Sequence, residues 1–280
     1  MSLPLRPLDE RGFGAVVDCN LATDAEDLLP QLARALHQHR LLIAPRQHLT
    51  HTDLLTVASY FGMVDTSVDR RYAVGGFPGL TVISNIVEDG EHVGIYDGDN
   101  EEEWHADNSF KPKLTSATLL YSVITPEQGG ETRFADATRA YAALPPAMRQ
   151  RIEGMHAVHS IEQLRVLQSQ ASGGQSSVSA GSLAGHLEVE HPLVLTHPVT
   201  GARSLLLGSM VISGITGLPE KESRALIGKL MEHTASAPYV YSHRWSQGDL
   251  VVWDNLATLH TASPCDSSRQ RRLLYRAAIR

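Results

Sequence analysis

The C-terminal third of the chain is a succession of short runs rich in Val, Leu and aromatic residues, and this pattern limits the fold more than any other feature. "LVLTHP" (193–198), "RSLLLG" (203–208), "YVYSHRW" (239–245), "DLVVWD" (249–254) and "RRLLYRAAI" (271–279) are separated by Gly-, Pro- and Ser-bearing turns, with one helical stretch among them, "PEKESRALIGKLMEHT" (219–234), opened by Pro219. Short runs of this kind between turn residues read as strands. Many short strands, with the helices mostly near the N-terminus, describe a mainly β fold: a two-sheet or jelly-roll barrel carrying helices on one side.

Toward the N-terminus the period changes from that of a strand to that of a helix. "TDAEDLLPQLARALHQHR" (23–40) sets Leu28, Leu29, Leu32 and Leu36 on one face, with Thr23 or Asp24 as cap. "LLIAP" (41–45) is a short buried strand, and "THTDLLTVASYFG" (50–62) is a helix with Thr50 as N-cap, Asp53 at the capping-box position and Gly62 at its end. "LTVISNI" (80–86) is strand-like, and the acidic, turn-rich stretch 87–103 reads as a loop. Strand candidates follow at 104–106, 115–123 and 131–135, then two short helices within 136–154, broken at Pro145–Pro146.

At 280 residues, 42 % of them hydrophobic and 20 % charged, the chain can bury one large core, so a single domain over 1–280 is expected. Residues 166–187 carry no Asp, Glu, Lys or Arg and are rich in Ser and Gly. They read as an insertion at about 160–190, either a surface loop or a cover over an active site. A net charge of −7 argues against nucleic acid and anionic membrane as partners. No uncharged apolar run approaches the ~18 residues that span a bilayer. The N-terminus lacks the apolar centre of a signal peptide, and Cys19 and Cys265 form no disulfide framework. A cytoplasmic protein acting on a small molecule is the simplest expectation, with a homo-oligomer left open.

"EEEWHADNSF" (101–110) carries the chemistry. On a strand, residues i and i+2 point the same way, so His105 and Asp107 would project side by side. An imidazole nitrogen and a carboxylate oxygen then reach one point, and one further histidine would complete three ligands with open positions opposite, as in non-haem Fe(II) oxygenases. A hydrogen-bonded polar strand is the alternative. His156, His159, His191, His197, His233 and His243 are all candidates for the third ligand. His260 stands apart because it follows a turn, a buried strand and a polar break in "GDLVVWDNLATLH". Farther on, alternation puts Arg272, Leu274 and Arg276 on one face, and arginines turned into a barrel are costly unless they meet anions.

The order His-x-Asp, "PEQGGETRFADATRAYAALP", "HPLVLTHPVTGARSLLL", "HRWSQGDLVVWDNLATLH" and "RRLLYRA" resembles the Fe(II)/2-oxoglutarate-dependent dioxygenases, in the branch of taurine dioxygenase and 2,4-dichlorophenoxyacetate dioxygenase. The likeness runs from about residue 41 to the C-terminus. It implies a distorted double-stranded β-helix and an enzyme that uses Fe(II), 2-oxoglutarate as cosubstrate and O₂. In it, His105, Asp107 and His260 match the iron ligands. Thr132 and Arg272 match the residues that hold the distal carboxylate of 2-oxoglutarate, and Arg276 matches a second arginine near cosubstrate and substrate. Asp107 argues against a halogenase, whose members lack this carboxylate. The intact triad weighs against a metal-free binding protein on the same fold, and a Zn-dependent hydrolase with the same three ligands gives no reason for Thr132, Arg272 and Arg276.

The substrate is less defined. Arg70 matches a basic residue of the phenoxyacetate branch, but Glu91 stands where that branch has a second one, and Glu101 stands where the taurine branch has a substrate-contacting asparagine. Arg70 and Arg276 could meet a carboxylate or sulfonate while Glu91, Glu101 or Glu102 meets an ammonium, and Asn108 is counted with them as a substrate contact. A small anionic or amino-acid-like substrate is expected, with an aryloxyalkanoate or sulfonate as the alternative.

Overall fold

Two sheets face each other across a buried interior, and the alternation of the strands explains why. The computed structural model describes residues 2–67, 70–96, 103–163 and 188–280. Among them the larger sheet has nine strands. Its spatial order is Leu5–Pro7, Ala15–Val17, Leu41–Ala44, Leu250–Asp254, Ala117–Ile124, Leu273–Ile279, Phe77–Ser84 and Ala73–Val74, with Ile95–Tyr96 added parallel to Phe77–Ser84. The facing sheet runs Val240–His243, Thr132–Asp136, Thr258–Ala262 and is antiparallel throughout.

All five residues of Leu250–Asp254 are buried, so both faces of this central strand are covered. Leu250 and Val252 pack with Leu42, Ala44, Leu119, Ala277 and Ile279 beneath the helices Ala25–His39 and His51–Ser59, which supply Leu28, Leu32, Leu36, Leu54 and Val57. Val251 and Trp253 turn the other way, against Ile83, Leu120, Phe134 and Leu274 in the space between the sheets. Trp253 and Phe134 are fully buried there, and truncating either to Ala would cost about 3–5 kcal/mol. A third apolar cluster joins Ala137–Ala143, Pro146–Ile152 and Glu220–Thr234 to Leu193, Leu205 and Leu207.

Most expected elements form where the periodicity puts them. The Thr50–Asp53 capping box is made in both directions, the helical pair breaks at Pro145–Pro146, and Pro219 caps the last helix. Two readings need correction. Stretch 87–103 is not simply a loop: Val87–Glu88 and Glu91–His92 form a hairpin around Asp89–Gly90, both at positive φ, and Ile95–Tyr96 joins the large sheet. Asp-Gly at such a turn sets the twist that adjoining strands need. Residues 104–106 are not a strand; His105 makes one isolated bridge to His260, and the chain then turns at Asn108, whose φ is 53°. A third sheet of Glu188–Pro192, His156–Ser160 and Ile212–Ile215 went unforeseen. The Ser/Gly-rich segment 166–187, Glu101 and Glu102 lie outside the described residues. No helix among the described residues is long and apolar enough to cross a membrane.

Candidate metal centre

His260 lies on Thr258–Ala262, directly opposite Phe134 on the neighbouring strand, so its ring enters the space between the sheets. His105 is held beside it by reciprocal backbone bonds, His105 N–H to the His260 carbonyl at 3.0 Å and His260 N–H to the His105 carbonyl at 2.9 Å. Asp107 follows, and the potential ligand atoms of His105, Asp107 and His260 all lie within 4.8 Å of one another. The three meet, but not by strand alternation as the sequence suggested. Asp107 sits at the start of a turn, and its place is set by Asn255, whose Oδ1 accepts from the Asp107 N–H at 2.8 Å and whose Nδ2 donates to the Asp107 carbonyl at 3.0 Å.

The protonation states suit a cation. His105 Nδ1 lies 2.7 Å from the Glu103 carbonyl, an acceptor only, so Nδ1 carries the proton and Nε2 keeps its lone pair. Burial pushes the Asp107 carboxyl up, but His260, Arg276, His105 and the Thr118 hydroxyl outweigh it and hold the group at about 2. Thr118 Oγ1 donates to Asp107 Oδ2 at 2.7 Å, and Arg276 Nη1 stands 3.5 Å from Oδ1. Burial, then His105, lower the His260 imidazole to about 3, so that ring is neutral at physiological pH.

A second cluster, His37, His197 and Asp254, has the same composition and similar closeness. Its hydrogen bonds argue against a metal. His197 Nδ1 accepts from the N–H groups of Val199 and Thr200, each at 3.1 Å, so Nδ1 is unprotonated. The ring's proton must then sit on Nε2, which lies 3.0 Å from Asp254 Oδ2 and has no lone pair left for a metal. This cluster is a polar tie between helix Ala25–His39, the turn after Val194–Thr196 and the end of Leu250–Asp254.

On the same interior, Thr132 is two residues before Phe134 and so shares its face. Its Oγ1 accepts from Trp245 Nε1 at 3.0 Å and stands 3.5 Å from Arg272 Nη2. Arg272 is 2 % exposed, and burial pushes its guanidinium down to about 10, still cationic at neutral pH. Asn85 fixes its backbone: Asn85 Oδ1 accepts from the Arg272 N–H at 2.8 Å, and the Asn85 N–H donates to the Arg272 carbonyl at 3.2 Å. Gly130, at φ +68°, passes so close that a Cβ there would meet the Arg272 side chain at 3.1 Å, which accounts for the second glycine of "GGET".

The residues expected to touch substrate are less gathered. Arg276 is half-buried beside Asp107. Asn108 directs its amide to Thr115 Oγ1 at 3.1 Å. Arg70 and Glu91 are exposed, and among the described residues neither makes an ion pair or hydrogen bond with the triad. Thr118, Asn255, Trp245 and Asn85 were missed as functional residues. The signal for Asn255 and Asn85 was present, as a polar residue between buried strands in "VVWDNLATL" and at the end of "TVISN".

A family model described as taurine catabolism dioxygenase TauD, TfdA family, matches residues 4–278. The (S)-phenoxypropionate/alpha-ketoglutarate-dioxygenase of Sphingobium herbicidovorans is 32 % identical over 98 % of this chain and 94 % of its own length. The alpha-ketoglutarate-dependent 2,4-dichlorophenoxyacetate dioxygenase of Cupriavidus pinatubonensis is 31 % identical over 96 % and 94 %. The crystal structure of AAD-2 in complex with Mn(II) and N-oxalylglycine superposes with a TM-score of 0.79 at 27 % identity, covering 100 % of this chain and 97 % of that one.

Proposed function

Because the chain belongs to the TauD/TfdA family and is a 2-oxoglutarate-dependent dioxygenase using Fe(II) and O₂, we propose that His105, Asp107 and His260 hold the iron and that Thr132 and Arg272 hold the distal carboxylate of 2-oxoglutarate. Bound at the triad, Fe(II) would supply the activation of O₂ that couples decarboxylation of 2-oxoglutarate, to succinate and CO₂, with oxidation of a substrate C–H bond. The chain's own part is placement. Thr118 and Asn255 fix Asp107 at its side chain and backbone, so the carboxylate is pre-set for a cation. The guanidinium of Arg272 provides a planar donor set that suits a carboxylate better than an ammonium would.

The observation that carries this reading is the depth of Arg272: a cation 2 % exposed, hydrogen-bonded to Thr132, inside the same interior as the triad. A buried charge is retained where it meets a counter-charge. Arg276 stands nearer the surface and beside Asp107, and in this reading it holds the anionic group of the substrate, with Arg70 available at the margin. The substrate is then a small anion, either an aryloxyalkanoate or sulfonate or an amino-acid-like acid whose ammonium meets Glu91 or Glu101. The whole chain acts as one cytoplasmic catalytic domain, with 160–190 an insertion in it.

Succinate release measured against a panel of aryloxyalkanoates, alkylsulfonates, amino acids and their deaminated analogues tests the proposal. Turnover of at least one anionic class, lost in Arg276→Ala, is expected. Turnover confined to neutral compounds would overturn the substrate assignment.

A further inference from the structure

We propose that Trp245 is a positioning residue that fixes the direction of the Thr132 hydroxyl proton and thereby makes Thr132 a donor toward the cosubstrate. This rests on the assignment of Thr132 and Arg272 to the distal carboxylate of 2-oxoglutarate. A hydroxyl has one proton to give and two lone pairs to receive with. At Thr132, which is 2 % exposed, two groups that can only donate face Oγ1: the indole N–H of Trp245 at 3.0 Å and Nη2 of Arg272 at 3.5 Å. Both lone pairs are then engaged, and the proton of Thr132 must point to a third group, which has to be an acceptor. A carboxylate oxygen is an acceptor only, so Thr132, oriented by Trp245, and the cationic Arg272 form a donor pair suited to an ionised carboxylate.

The indole is itself held in place. Trp245 is 5 % exposed, and its ring meets that of His243 edge-on at 4.6 Å. His243 is the cross-strand neighbour of Thr132 and lies 3.3 Å from Asp249 Oδ2, which also accepts from the Ser246 N–H at 2.9 Å. Asp249, His243 and Trp245 thus form a buried line that ends on Thr132. Without the indole N–H, the Thr132 proton could turn into the space where the indole had been, and the hydroxyl would no longer be committed to the cosubstrate.

The test is a double-mutant cycle read by binding. Trp245→Phe removes the N–H donor and exchanges the indole for a smaller phenyl ring, benzothienylalanine at position 245 removes the N–H alone, and Thr132→Val keeps the shape and loses the hydroxyl. Calorimetry of Mn(II)-loaded protein without O₂ gives the affinity for 2-oxoglutarate and for N-oxalylglycine, and a separate titration gives the affinity for Mn(II). In the wild-type background Trp245→Phe should weaken 2-oxoglutarate by about tenfold, the worth of one charge-assisted hydrogen bond. In the Thr132→Val background the same change should cost less than about twofold, with Mn(II) affinity unaltered in both. Equal losses in the two backgrounds would mean that Trp245 acts by packing alone, and the proposal would be overturned. If Thr132→Val by itself left 2-oxoglutarate affinity unchanged, the underlying assignment of Thr132 would fail and the proposal with it. Should Trp245→Phe melt below the wild type, benzothienylalanine at position 245, with sulfur in place of N–H, replaces it in the same cycle.

Discussion

Asn255 pairs with Asp107 as one strand residue pairs with another, except that a side chain replaces one of the two backbones. Its Oδ1 takes the Asp107 N–H at 2.8 Å, and its Nδ2 gives to the Asp107 carbonyl at 3.0 Å and to that of Thr115, also at 3.0 Å. The amide is therefore satisfied on both ends while 2 % exposed. Asn255→Ala leaves the backbone of Asp107 unheld and should lower Fe(II) or Mn(II) affinity by about 10–100-fold, the usual effect of losing a group that orients a ligand. Metal titration checks it. A change below about threefold would mean that the turn holds Asp107 without help.

The cosubstrate site gives a second expectation. Burying the distal carboxylate of 2-oxoglutarate without Arg272 leaves a charge unpaired, at about 3–5 kcal/mol, or roughly a hundred- to several-thousand-fold in affinity. Arg272→Ala should show that loss in anaerobic binding of 2-oxoglutarate. A loss below about tenfold would shift the anchoring role to Arg271 or Arg276.

How far the chain could be read in advance differs from element to element. Leu28, Leu32 and Leu36 repeat at helical spacing and become a helix face, because a pattern local in sequence decides it. The alternation of Arg272, Leu274 and Arg276 was legible for the same reason. The bond between Asn255 and Asp107 was not, since it joins positions 148 residues apart and no local pattern records it. Nor could composition separate His105–Asp107–His260 from His37–His197–Asp254. Which ring nitrogen carries the proton decides that, and it depends on the N–H groups of Val199 and Thr200 and on the Glu103 carbonyl.

That distinction predicts a stoichiometry. His37→Ala should leave one equivalent of tightly bound metal, as in the wild type, and cost stability instead by loosening the tie to Asp254. Elemental analysis after metal loading checks it. Two equivalents in the wild type, falling to one in His37→Ala, would show that the second cluster takes a metal.

His159 gives a pH dependence. It is fully buried, its ring packs against His191 at 5.2 Å, and burial first, then His191, lower its imidazole to about 3. The unfolded chain binds this proton near its ordinary value of 6.5 and the folded chain does not, so stability rises with pH between about 3 and 6.5. The contribution is fully present above the ordinary value and is lost by about 1.4 kcal/mol per pH unit on acidification through that window. His159→Phe should flatten the fall in melting temperature between pH 6 and pH 4 by about that slope. An unchanged profile would mean that the acid sensitivity arises elsewhere.

His105, Asp107 and His260 are the proposed iron site of this dioxygenase, and the triad stands or falls with its third ligand. Anaerobic Fe(II) titration of the wild type and of His260→Ala, with circular dichroism to verify that both are folded, tests it most directly. The wild type should bind one equivalent and, on admitting O₂, release succinate in a 2-oxoglutarate-dependent way, and His260→Ala should do neither. A folded His260→Ala protein that binds one equivalent with wild-type affinity and still releases succinate would contradict it.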